Sequence, residues 1–77
     1  MKNFKMYCKK GIDSNGCVDE FLISLFFEVD DEIVDSCEFD NIGDILFESN
    51  EMLNRNCEKY CFDGRFDKLE IDLKYKW

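Results

Sequence analysis

Residues 21–29 constrain the fold of this chain more than any other stretch. Phe21, Ile23, Leu25, Phe27 and Val29 occupy every second position, which is the period of one face of a strand. The positions between them carry Leu22, Ser24, Phe26 and Glu28, so the other face is half polar. Val18, Leu22, Leu25 and Val29 also fit a helical spacing over residues 18–29. The β-branched and aromatic content favours the strand.

The flanking sequence supplies partners for it. Phe4, Met6 and Cys8 alternate with lysines and Tyr7, predicting a first strand over about residues 2–9. Residues 11–16, with a Gly at each end, read as a turn. Asp30 and Asp31 form a hairpin turn although no Gly follows, and a third strand covers residues 33–39. Asp40 or Asn41 then provides a helix N-cap, with Asp44 in the first turn where the helix dipole favours an acid. Ile42, Ile45, Leu46, Ser49, Met52, Leu53 and Asn56 trace one face of an amphipathic helix over about residues 41–61. Asp63 and Gly64 close it. Phe66, Leu69, Ile71, Leu73, Tyr75 and Trp77 make a last strand. The expected fold is α+β: a small four-stranded, mainly antiparallel sheet in the order β-β-β-α-β, with one helix packed on one face. A right-handed crossover places the last strand parallel to a meander strand, and pairing beside the first strand gives the order 4-1-2-3 or its mirror.

A chain of 77 residues holds one domain, residues 1–77, and buries only about 60% of its unfolded surface. Eight Phe, three Tyr and one Trp compensate, because each buried aromatic removes a large area from water. Ala, Thr, Pro, His and Gln are absent; Phe, Tyr, Met, Ile, Asn and Lys make up 34 residues, while Gly and Arg make up six. The abundant types have AT-rich codons, which points to a low-GC genome such as that of a bacterium, its phage or its mobile elements. No segment approaches the ~20 apolar residues of a membrane span. The N-terminal lysines are followed by no signal-peptide core. A cytoplasmic location is expected.

Charge is laid out unevenly. Residues 1–10 carry four lysines and no acid, residues 11–54 carry thirteen acids and no base, and the remainder is nearly balanced. An uncompensated acidic field repels nucleic acid and attracts basic protein surfaces. Alternate strand residues lie ~6.6 Å apart, of the order of a phosphate repeat, so carboxylates on a strand can imitate a phosphate row. Glu28, Asp30, Asp31, Glu32, Asp35, Glu38, Asp40, Asp44 and Glu48 are the expected partner-binding residues, with Asp44, Glu48 and Glu51 on the solvent stripe of the helix. Phe26 and Phe47 are candidates for an exposed apolar spot within this region. The bland alternative is that the acids serve solubility alone.

Chemistry is sparsely equipped. Without His, the commonest general base and metal ligand is missing. The four serines lie in no nucleophile elbow, and there is no P-loop or dinucleotide fingerprint. No catalytic residue, metal ligand set or cofactor is assigned. Cys8, Cys17, Cys37, Cys57 and Cys61 are read as free thiols used for packing. Cys57 and Cys61 share a helical face, and with Cys8 and Cys17 they define the alternative of a thiolate metal module.

By size, acidity, low-GC composition and lack of catalytic residues, the chain resembles the small single-domain inhibitors that phages and mobile elements encode against host defence, anti-CRISPR proteins among them. That resemblance implies a non-enzymatic inhibitor docking on a basic, nucleic-acid-binding surface of a partner protein, with no direct nucleic-acid or membrane contact. A structural or regulatory subunit, or an immunity-type adaptor, is the second reading.

Overall fold

The computed structural model describes residues 3–60 and 68–72. Three antiparallel strands and one helix make a small α+β fold. The strands are β1 (Phe4–Ile12), β2 (Val18–Val29) and β3 (Glu32–Phe39). A single 3-10 turn, Ile42–Asp44, leads into the helix α1 (Ile45–Asn56). Residues 18–29 are strand throughout, so the alternating pattern prevails over the helical one. At the backbone level Lys68–Asp72 (β4) lies parallel to β1, with Lys5 opposite Lys68 and Lys9 opposite Asp72. The order across the sheet is β3-β2-β1-β4, so β3 is an outer strand. The continuation of the last strand towards Trp77, and the helix stop expected at Asp63 and Gly64, lie outside the described residues.

Register assigns the faces. Met6 lies opposite Phe27, Cys8 opposite Leu25, Leu25 opposite Cys37, and Ile23 opposite Phe39. Met6, Cys8, Ile23, Leu25, Phe27, Val29 and Phe39 are buried together with Met52 of α1, and Ile45, Leu53, Cys57 and Tyr60 pack against them. Full burial of an aliphatic or aromatic side chain contributes about 1.5–3 kcal/mol, so this one layer holds the domain together. The other sheet face is closed as well. Tyr7 stacks on Phe26 with ring centroids 5.2 Å apart, and the buried Ser24 hydroxyl donates to the Ile12 carbonyl.

Two hairpins shape the sheet. Between β1 and β2, the Asp13 carboxylate accepts the amides of Asn15 and Cys17, each at 2.9 Å, and Gly16 takes a φ of 88°. Between β2 and β3, Val29 pairs with Glu32, leaving a two-residue loop. Asp30 and Asp31 have φ of 52° and 69°. Both lie in the left-handed region that a type I′ hairpin demands and that Gly or Asn usually fills. Further along β3, Phe27 faces Asp35 while Glu28 faces Ile33. Val34 is therefore the extra residue of a bulge, and it packs against the core.

The helix is shorter than its sequence suggests, and its first turns are more exposed. Asn41 caps the 3-10 turn, its Oδ1 accepting the Gly43 amide at 2.9 Å. Leu46, expected on the core face, is 76% exposed. It lies seven residues before Leu53, within about 20° around the axis at 3.6 residues per turn, but in the first turn of α1. The buried face follows Ile45, Met52, Leu53 and Asn56, as the spacing predicts. Phe26, expected at the surface, is only 7% exposed, because its stacking on Tyr7 closes the face away from α1.

Candidate functional site

The acids expected to form one docking face are divided by the fold into those used in its construction and those left free. β3 separates two acidic ends. Eight residues at ~3.3 Å each put the Asp30 and Asp31 turn roughly 25 Å from the start of the helix.

Four of the nine expected residues have structural partners. Glu28 is buried on the face away from α1, and its Oε1 lies 3.5 Å from Lys5 Nζ. Asp30 ties the hairpin to the start of β1: its carboxylate accepts the Asn3 amide at 2.9 Å, and its own amide donates to the Asn3 carbonyl at 2.9 Å. The Glu38 carboxylate accepts the Ser14 amide at 2.7 Å, bracing the loop between β1 and β2.

Asp35 is the most deeply engaged. It lies opposite Phe27, on the face of β3 that also carries Cys37 and Phe39 towards α1, where its Oδ2 accepts Arg55 Nε at 2.9 Å and Asn56 Nδ2 at 2.7 Å. Asn56 is buried, and its amide also donates to the Met52 carbonyl at 2.8 Å. Burial pushes the Asp35 carboxyl up. The hydrogen bonds from Arg55 and Asn56, the Arg55 charge and the Ser36 amide outweigh it, leaving the carboxyl below its ordinary value of 3.8. The base-free stretch thus draws its compensating cations from either side of it, Lys5 for Glu28 and Arg55 for Asp35.

The remaining five differ. Glu48 is half-buried rather than on the solvent stripe, and its charge reaches Cys37 at the seam between α1 and β3. Asp31, Glu32, Asp40 and Asp44 are exposed, and among the described residues they make no side-chain hydrogen bond or ion pair. Asp40 lines a shallow depression with Lys10, Asn41 and Ile42.

The structure also leaves apolar residues exposed, among them Ile42 and Leu46, which the helix pattern had assigned to the core. Ile42, Leu46 and Phe47 are 45%, 76% and 63% exposed. Phe21 is exposed too, and β2 runs past the Ile23–Phe39 pair, which places Phe21 at the same end of the sheet. Phe47 was expected here, but Phe26 lies on the far face of the sheet.

The thiols are dispersed. Cys8 is buried, Cys37 and Cys57 are half-buried and Cys17 is exposed, and all four are free. Burial, reinforced by Cys37, pushes the Cys8 thiol up to about 11. Cys8 faces the core, while Cys17 lies in the loop beyond the end of β1. The pair that a hairpin metal site requires is therefore not brought together. Cys61 lies outside the described residues. No group of three or more metal-ligating side chains occurs among the described residues, and no helix among them is long and apolar enough to cross a membrane. No protein-family model, curated protein or solved structure matches the chain.

Proposed function

We propose that this chain is a non-enzymatic binding protein that docks a carboxylate-bearing surface on a basic, nucleic-acid-binding surface of a partner protein. Its class would be that of small phage or mobile-element inhibitors of host defence, acting in the cytoplasm of the host. The observation that carries this reading is the set Asp31, Glu32, Asp40 and Asp44. These acids are exposed and unpaired among the described residues, in a stretch of 44 residues without a base. Carboxylates needed only for folding have partners, as Asp35 and Asp30 do, whereas unpaired ones keep their full field for an encounter. The whole fold in this reading is a four-stranded β-β-β-α-β sheet, with the last strand running on from the segment beside β1.

The test is capture of partners by the tagged full chain at low and at high salt, with duplex DNA as competitor. Docking by charge weakens steeply with ionic strength, so bound proteins should be nucleic-acid binders, released by salt and displaced by DNA. Capture that survives both treatments would favour an adaptor or subunit role instead. That second reading draws on the exposed apolar residues at the start of α1.

A further inference from the structure

We infer that the start of α1 is a docking surface for a basic amphipathic segment of a partner protein, with Ile42, Leu46 and Phe47 as the apolar contact and Asp40, Asp44 and Glu51 as its charged rim. The inference rests on the acidic-docking reading and deepens it, because it selects one of the two acidic ends and names the chemistry of the occupant.

Three independent features converge there. The apolar residues fall within six positions of one another at the start of α1, and each has between 45% and 76% of its surface open to solvent. Scattered exposed hydrophobics are ordinary, but a contiguous group bordered by charge marks an interaction site. Ile42 stands in the 3-10 turn and Leu46 in the first turn of α1 that follows it. The rim is acidic: Asp44 and Glu51 stand three residues before and four residues after Phe47, flanking it along the helix, and both are exposed. Lys10 lines the depression beside Asp40 and Ile42, and the three carboxylates outnumber it. Finally, the backbone is fixed in advance. The Asn41 cap closes the 3-10 turn, and the Asp35 bonds to Arg55 and Asn56 lock the far end of the helix to β3. A preformed surface loses little freedom on binding.

Charge complementarity identifies the occupant. A purely apolar segment would leave the rim unmatched, and a second copy of this chain would approach with a net charge of −8 against a net charge of −8. An amphipathic helix with lysines or arginines beside its apolar stripe satisfies both parts of the surface.

The test titrates the isotope-labelled full chain at low salt with three synthetic peptides. One is a Leu/Lys amphipathic helix, one a Lys/Gly peptide of equal charge without an apolar stripe, and one a neutral Leu/Ser helix. The Leu/Lys peptide should bind best and shift the amide signals of residues 40–51. Leu46→Ser combined with Phe47→Ser should weaken it about tenfold without moving the thermal midpoint, because both side chains are already exposed. Asp31→Lys combined with Glu32→Lys should leave its affinity within about twofold. Equal binding of the Lys/Gly peptide, or shifts centred on residues 30–32, would overturn this surface while leaving acidic docking intact. Equal binding of the neutral helix would overturn the basic occupant. Self-association abolished by Phe47→Ser would make the surface an interface between copies and overturn it as well. Failure of both lysine peptides to bind would remove this inference and the acidic-docking reading together.

Discussion

The two acidic ends of β3 have similar sequence and different physical roles. At the turn between β2 and β3, Asp30 is bonded through both side chain and backbone to Asn3, and Glu28 nearby is paired with Lys5. At the start of α1, Asp40 and Asp44 touch no partner among the described residues and stand beside exposed Ile42, Leu46 and Phe47. Between the ends, Asp35 lies on the core face of β3 with Cys37 and Phe39 and holds the helix. Acid density in a sequence is thus a poor measure of available charge. What matters is whether the backbone turns each carboxylate towards a donor or away from one.

The sharpest way to break this contrast is Asp35→Ala. It leaves the buried Asn56 amide and Arg55 without their shared acceptor, and we expect a loss of about 2–3 kcal/mol in urea unfolding. Wild-type stability in Asp35→Ala would show that the clamp does not hold the helix. Acid titration asks the same question without removing atoms. A carboxyl below its ordinary value of 3.8 contributes stability that is complete above that pH. The contribution is lost as pH falls through the lower, folded value. The thermal midpoint should therefore drop below about pH 4, and the drop should be shallower in Asp35→Asn.

At the turn, Asp31→Gly should stabilise by about 1 kcal/mol. It relieves a left-handed backbone and spares the Asp30 bond to Asn3. Destabilisation would mean that the Asp31 side chain has a partner. The smallest effect belongs to the free end. Asp40→Lys should change stability by less than about 0.5 kcal/mol, measured by the same unfolding curve, while reducing salt-sensitive capture of partners.

The meander was legible because alternation in residues 21–29 is strong on one face and two acids in succession suit a tight turn. The helix was legible from the spacing of Ile45, Met52, Leu53 and Asn56. Its anchor was not, because that contact, Asn56 to Asp35, joins residues 21 positions apart. Nor was the role of Asp35. Alternation does put Asp35 on the core face with Cys37 and Phe39, but its partners there, Arg55 and Asn56, lie 20 and 21 positions on; the bulge at Val34 sends only Ile33 outward, opposite Glu28. Nothing local marks a bulge whose extra residue is an ordinary valine. Phe26 was misread for a similar reason: its stacking partner, Tyr7, comes from the neighbouring strand.

The outer position of β3 has a consequence for handling the protein in concentrated solution. An outer strand offers its backbone to any passing copy, and a ribbon grown by edge addition would bring like side chains together. Near neutral pH the carboxylates of Glu32 and Glu38 make that approach repulsive. The isoelectric point lies near 4.3, just above the range in which the Asp35 clamp loosens. On acidification, colloidal repulsion vanishes first and the helix loses its anchor next. Precipitates formed in mild acid should therefore redissolve as native protein, whereas those formed in stronger acid should be rich in intermolecular β-structure.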